Sequence, residues 1–550
     1  MESPEPITTD EVPVGFLRRH SIFALPLTLT ALLCALAFLT PARSNPILVW
    51  TFCGVGAGLL FWQSILLFQV ARSGRRITLE FVPTKAHYVQ AILHLSIFAY
   101  WGFHWRIVYS VAHLIAAQVV FLYVFDMLLC WSRRDRWRLG FGPLPIIFST
   151  NLFLWFKDDW FFFQFLMVAT GALGKEFIRW QKDGRDTHIF NPSGLSLSVF
   201  SIVLILTGTT DYTWGNEIAL TLNIAPHMFL WIFLVGLVVQ SLFSVTLMTL
   251  SAAAALWLLN LVYTQVTGVY YFIDTGIPIA VFLGLHLLVT DPSTSPRTNF
   301  GRVIFGSLYG LSVAALYALL ELFEAPQFYD KLLCVPLLNL SVQIIDRMAR
   351  RSVFGRIRLW SDARGAQKRN LLSMATWGVL FSFMLGTGFI EGDHPGESLE
   401  FWEMACEKKK RKGCDRLIRG LAFQSELGSS LASNQLAIHY LEGKITEQDP
   451  IAAAMFFARA CDQGDLNTCA NLAKLYIIHD LGNPDDVARA ISQLEASGFD
   501  ASGRNPYFIG LAYSTGRARP VDKKKALAFF QLSCDAGWPE ACSELEAISE

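Results

Sequence analysis

Charge is scarce in this 550-residue chain. Only 16% of its residues are Asp, Glu, Lys or Arg, and the 45 basic side chains are cancelled by 45 acidic ones. Such a balance gives no electrostatic reason to bind nucleic acid, and no nucleic-acid partner is expected. The chain also lacks a C-x-x-C pair, a P-loop and a dinucleotide-binding glycine fingerprint, so it cannot oxidise NADH by itself. Among its 11 histidines, those near the C-terminal cysteines (His394, His439, His479) fit no zinc-finger spacing, and no metal site is expected.

What the chain has instead is long apolar runs. Hydrophobic residues make up 53% of it, with 43 Phe and 16 Trp. They concentrate before about Gly392, after which the sequence turns charged and Ala-rich. About 20 apolar residues cross the hydrocarbon core of a bilayer. Thirteen candidate spans follow, at roughly 22–40, 46–70, 87–103, 107–131, 143–156, 160–173, 195–208, 228–244, 245–265, 277–290, 303–323, 332–346 and 371–390. Those at 143–156, 160–173 and 277–290 are short enough to be broken or re-entrant helices, or buried half-helices. The first run follows a polar tail (1–21) and lacks a small-residue cleavage site, which marks a retained span rather than a signal peptide. The fold class expected is all-α: a polytopic membrane bundle over 22–390 and a soluble helical domain over 391–550.

Lys and Arg gather on the cytoplasmic side of membrane proteins. With the N-terminal tail inside, the segments on its side hold 24 of them, from Arg18 and Arg19 through Arg72–Lys85, Arg133–Arg138, Lys175–Arg185, Arg297, Arg302 and Arg347–Arg369. The opposite segments hold four: Arg43, Arg106, Lys157 and Lys331. Thirteen crossings then put the C-terminal domain outside. The cysteines agree. Four of the ten (Cys34, Cys53, Cys130, Cys334) are isolated within spans, and the other six form three pairs eight residues apart in the soluble region. Paired cysteines belong to oxidising compartments such as the bacterial periplasm. A bacterial inner-membrane location is expected, with a cytoplasmic N-terminus and a periplasmic C-terminal domain.

The C-terminal region repeats itself. Cys461, Glu495 and Cys534 each precede a Gly by three residues, at spacings of 34 and 39. Apolar Ala-rich stretches come before each, as in "PIAAAMFFARACDQG" and "DKKKALAFFQLSCDAG", with a second stretch such as "SNQLAIHYLEG" or "NPYFIGLAYSTG" ahead of it. The pattern is helix–turn–helix with a period near 36. It resembles the Sel-like subclass of tetratricopeptide repeats over about 430–545, with a degenerate unit at 398–425. That resemblance implies a solenoid that docks another protein, and bridges Cys406–Cys414, Cys461–Cys469 and Cys534–Cys542 that staple neighbouring helices. The junction at Glu495 is expected to be looser. "KKKRK" (408–412) reads as a solvated face or as a contact for anionic head groups or cell-wall polymer.

In the apolar region two inner-side stretches stand out, "GKEFIRWQKDGRDTHIFNPSG" (174–194) and "HLLVTDPSTSPRTNFGRVIFGSLYG" (286–310). In each, a proline beside a polar residue (Asn191-Pro192, Asp291-Pro292) marks a helix end whose backbone groups need partners. Two ordinary Pro-capped turns fit this pattern, and so does one shared site built from broken helices. "HIFNPSG" and "TDPSTSP…GRVIFG" resemble the membrane subunits NqrB and RnfD of sodium-pumping quinone reductase and Rnf electron-transport complexes, over roughly 80–345. The resemblance implies a bundle of two similar halves, flavin-linked electron transfer, and an ion or ligand site drawing on His188, Asn191, Pro192, Asp291, Ser293 and Ser295. Members of that family with covalent FMN carry it on a Thr in an S-[GA]-A-T motif. "TGTTDYTWG" (207–215) keeps adjacent Thr209 and Thr210 but not that frame, which argues against covalent FMN and leaves non-covalent flavin or quinone as the cofactors to expect. Ionisable groups within spans are costly and usually functional; Asp126 and His286 are the candidates for a proton or cation path, while His94 and His113 read as hydrogen-bonded core histidines.

Three functions remain open on these grounds. One is a membrane subunit of an electron-transfer or ion-translocating assembly, whose repeats dock membrane or periplasmic protein partners. Another is a cofactor-free transporter or channel for a small solute. The third is a scaffold in which the bundle, set among membrane lipid, only anchors the repeats.

Overall fold

The computed structural model describes residues 21–182, 184–273, 275–351, 366–410, 412–497 and 502–549. The tail 1–20 and much of the basic stretch between Arg347 and Arg369 lie outside these. The chain divides into two compact units, one of Met1–Val262 with Thr275–Asp393, the other of Tyr263–Asp274 with His394–Glu550. The second unit thus starts three residues later than expected and takes in a segment from the middle of the apolar region. Val269 explains this: it is buried with Trp402, Leu417, Leu421 and Leu436 in one apolar cluster of the second unit.

The first unit is a bundle of helices, and proline and side-chain caps set many of the boundaries. Pro46–Ser73 opens with Pro at its first position and Asn45 capping the Ile47 N–H, and ends at Gly74 in the left-handed conformation. Then come Lys85–His104, Ala112–Arg134, Pro143–Asn151, Phe162–Phe177 and Pro192–Thr207. After a sharp bend come Met228–Phe243, Thr246–Thr267, Ile279–Leu287, Asn299–Leu322 and Asp330–Ala349. Both runs place a nine-residue helix third of five, each introduced by proline: Pro143 at the first position of one, Pro278 as N-cap of the other.

By length and composition, five helices among the described residues are apolar enough to cross a membrane: Pro46–Ser73, Ala112–Arg134, Thr246–Thr267, Asn299–Leu322 and Gln327–Ala349. A sixth is a pair, Gly215–Ile224 and Met228–Phe243, bent by 103°. The remaining expected spans are shorter or less apolar helices by this measure. The run at 22–40 yields the 13-residue helix Ala24–Leu36 before the chain turns at Thr40–Arg43; those at 143–156 and 277–290 yield nine residues each. Large apolar side chains nonetheless face outward, among them Trp50 (77% exposed), Phe61, Leu206 (80%) and Val379.

The all-α expectation also needs amendment. Thr78–Phe81 pairs in parallel with Arg136–Leu139, and Arg179–Lys182 pairs antiparallel with Arg185–His188, bringing Arg179 opposite His188 and Lys182 opposite Arg185. Both tiny sheets join helix ends, where otherwise unpaired backbone groups find partners.

In the second unit, helices Leu399–Glu407, Gly413–Glu426, Ser430–Glu442, Pro450–Asp462, Leu466–His479, Pro484–Ala496, Arg504–Thr515, Lys523–Asp535 and Pro539–Ser549 follow one another, each packed on the next. Short side chains allow the close approach: Ala453, Ala460, Ala470, Ala473, Ala490, Ala512 and Ala526 are all fully buried. Gly464 and Gly537, each three residues after a cysteine, adopt φ of 98° and 90°, a conformation that L side chains resist. Arg416 anchors the inserted segment. Its guanidinium donates to the carbonyls of Tyr270 and Tyr271, both at 2.6 Å, and lies over the Trp402 ring.

Candidate functional site

The two proline motifs meet. Asn191, as N-cap of Pro192–Thr207, accepts from the Gly194 N–H through its side chain at 3.1 Å. Its amide nitrogen donates to the Leu288 carbonyl at 2.9 Å, in the non-helical stretch after Ile279–Leu287. Its backbone N–H donates to Asn339 Oδ1 at 3.0 Å, and Asn339 in turn donates to the Thr294 carbonyl at 3.2 Å. Every polar group of this buried amide is used, which ties the first motif to the second.

The hairpin 179–188 closes over the same stretch. His188 Nε2 lies 3.2 Å from Asp291 Oδ2, while Asp291 Oδ1 accepts from the Ser293 N–H at 2.8 Å. Lys182 is buried at 4% exposure, and its ammonium donates to the carbonyls of Ser293 at 3.2 Å and Ser295 at 2.6 Å. Asp346 accepts from the backbone N–H groups of Arg297 and Thr298, and Thr298 caps Asn299–Leu322. Carboxylate, imidazole, ammonium and carbonyl oxygens thus converge on a break between two helices. His188, Asn191, Pro192, Asp291, Ser293 and Ser295 are brought together. Ser293 and Ser295 contribute backbone carbonyls to Lys182 rather than hydroxyls.

The other expected site residues lie apart from this cluster. Asp126 accepts from the Trp137 indole at 2.8 Å and so fixes strand Arg136–Leu139 to its own helix. His286 is fully buried, donating through Nδ1 to the Phe282 carbonyl at 2.8 Å, with its ring against Gly236 and stacked on Trp377. Thr209 pairs with the Thr207 hydroxyl at 2.7 Å, at the far end of the helix that Asn191 begins. Thr210 lines a cavity of about 280 Å³ with Asp211, Asn216, Glu217, Phe328 and Tyr329. No cluster of three or more metal-ligating side chains occurs among the described residues.

The sequence reading missed Lys182, Asn339, Asp346 and a second buried amide group. Gln118 and Asn151 exchange hydrogen bonds of 3.0 and 2.7 Å, and Gln164 donates to Gln118 at 3.1 Å while accepting from the Phe156 N–H. This trio closes the end of Pro143–Asn151. Isolated Gln and Asn residues within apolar runs were the available signal.

All three cysteine pairs are bridged: Cys406–Cys414, Cys461–Cys469 and Cys534–Cys542, with Cα–Cα distances of 4.4, 4.8 and 4.9 Å. Each links a helix to the next across its turn. Sel1 repeats match residues 430–465 and 507–538. The C-terminal region contains Sel1 repeats. No curated protein matches the chain. Among solved structures, a Sel1 repeat protein from Oxalobacter formigenes is 20% identical, covering 24% of this chain and 98% of its own length, with a TM-score of 0.20. The protective antigen c5321 of uropathogenic Escherichia coli, which displays an SLR fold, is 14% identical over 64% of this chain and 79% of its own, with a TM-score of 0.22. Nothing in these comparisons supports the resemblance to NqrB and RnfD. Sel1 repeats typically mediate protein–protein interactions, a role consistent with protein partners for this region.

Proposed function

We propose that the protein is an inner-membrane translocator of a small ion or solute, whose periplasmic Sel1 repeats dock a partner protein. The observation that carries this reading is the convergence at the broken helix: Asn191, Asp291, His188 and Lys182 surround a helix break within a bundle that faces large apolar side chains outward. Transporters build substrate and ion sites in this way, from discontinuous helices supported by buried polar groups.

The helix order adds support. Two successive sets of five share the pattern of long, long, nine-residue, long, long. Five is odd, so if the chain crosses the membrane once with each element, the nine-residue helices completing their crossing through the flanking loop, the second set runs opposite to the first and the halves are inverted repeats. Both nine-residue helices end in loops held by buried amides, Asn151 with Gln118 and Gln164 in one half, Asn191 and Asn339 about the other. The electron-transfer form of this function rests on the resemblance to NqrB and RnfD alone.

Reconstitution into proteoliposomes tests the reading. Purified wild-type protein should carry sodium, protons or a small solute across the bilayer, and Asp291→Ala should abolish that flux with the protein still folded. Absence of flux, combined with full function of the repeats on an unrelated membrane anchor, would leave the scaffold.

A further inference from the structure

The segment 290–296, "TDPSTSP", is short of donors because Pro292 and Pro296 have no N–H. Its carbonyls must therefore find cations or side-chain donors from elsewhere. The Thr294 carbonyl is met by the Asn339 amide, and those of Ser293 and Ser295, on either side, both face the Lys182 ammonium. Backbone carbonyls from an unwound stretch are the usual ligands of alkali cations in broken-helix sites, because their dipoles replace the hydration shell. Asp291, half-buried, supplies a carboxylate in the same loop, and Lys182, Thr294 and Ser295 are buried. A lysine ammonium is a compact point charge on a flexible stem, close in charge and coordination demand to a hydrated monovalent ion stripped of water.

We infer that the carbonyls of Ser293 and Ser295 form a monovalent-cation site, and that Lys182 occupies it with a cation the chain carries itself. The inference concerns the chemistry of the loop and stands whether or not the protein translocates anything. It fits the burial of the Lys182 ammonium against two carbonyl oxygens at the hairpin's end: the ammonium does there what sodium or potassium does in a site of this kind. The natural protein should accordingly be indifferent to the alkali cation around it, and removal of the side chain should create a dependence that was absent.

The test uses full-length protein in detergent and reads thermal unfolding in sodium, potassium or ethylammonium chloride against N-methylglucamine chloride at equal ionic strength. Wild type should unfold at the same temperature in all four. Lys182→Ala should unfold several degrees lower in N-methylglucamine and recover saturably with sodium, potassium or ethylammonium. Lys182→Met, which fills the space without charge, should stay low in every salt. Indifference of Lys182→Ala to all the small cations, or wild-type stability of Lys182→Met, overturns the inference. Should Lys182→Ala fail to accumulate, reductive methylation of wild type decides: Lys182 should resist while exposed Lys408–Lys410 react, and methylation of Lys182 at their rate overturns it.

Discussion

The Tyr513 hydroxyl donates a 2.7 Å hydrogen bond to Glu495, the residue that stands where other repeats have a cysteine. The second oxygen of Glu495 pairs with Arg519 at 3.4 Å. The junction expected to be loose is held by a polar clasp in place of a covalent one. Glu495→Ala should cost about 1 kcal/mol, the net worth of one hydrogen bond plus a partly exposed ion pair. Reduction of the three bridges should cost about 2–3 kcal/mol each. Chemical unfolding of the full chain, monitored in the repeat unit with and without reductant, separates the two.

Topology has a direct assay. A membrane-impermeant protease added to intact spheroplasts should shorten the chain by the region after residue 393, as read on a denaturing gel. Protection until lysis would reverse the assignment of sides.

Asn191 and Asn339 should behave as a pair. Asn339→Leu strands the buried Asn191 N–H and the Thr294 carbonyl, at about 2–4 kcal/mol. Asn191→Leu keeps the N–H that Asn339 accepts from and removes the side-chain bond to the Leu288 carbonyl. Because both amides tie the same two stretches together, the double variant should still cost less than the sum of the singles. Strict additivity in thermal unfolding would mean that the two motifs are independent turns.

His394 gives the repeat unit an acid limit. Burial pushes its imidazole pKa down from the usual value of 6.5, and Nδ1 accepts from the Gly396 N–H, which only the neutral ring can do. As pH falls through about 6.5, the unfolded chain takes up a proton that the folded one refuses, so stability declines below that point and is complete above it. His394→Gln should flatten the dependence of the unfolding temperature between about pH 7 and 5.5.

Thr209 and Thr210 should carry no covalent flavin. A denaturing gel of protein co-expressed with a flavin-attachment enzyme should show no fluorescent band. A band that disappears in Thr210→Ala would revive the electron-transfer form of the function, since Thr210 borders a cavity of about 280 Å³.

Local chemistry was readable in the sequence wherever the partner lay close along the chain. The cysteine pairs, eight residues apart, closed as the resemblance to Sel-like repeats implied, and Gly443, Gly464, Gly516 and Gly537 took the left-handed turn after their helices. Pro192 and Pro292 marked helix breaks, and the breaks met. Lys182 was read as one more inward-side charge, because nothing in "RWQKDGR" reveals that the hairpin folds back over a stretch more than 100 residues ahead. Asn339, a lone amide in an apolar run, points only once Asn191 is opposite. Short runs are hard to tell from full spans for a related reason: hydropathy measures how apolar a run is, and a nine-residue buried helix such as Ile279–Leu287 is as apolar as a long one.

The repeat unit is sewn from two distant stretches of chain, and this dictates a sequence of events during synthesis. Tyr270 and Tyr271 leave the ribosome well over a hundred residues before Arg416, whose guanidinium is the partner of their carbonyls. Until the later stretch has emerged, the earlier turn lacks the Arg416 donor, and Val269 lacks the cover of Trp402, Leu417, Leu421 and Leu436. A chain truncated before Arg416 would expose that turn permanently.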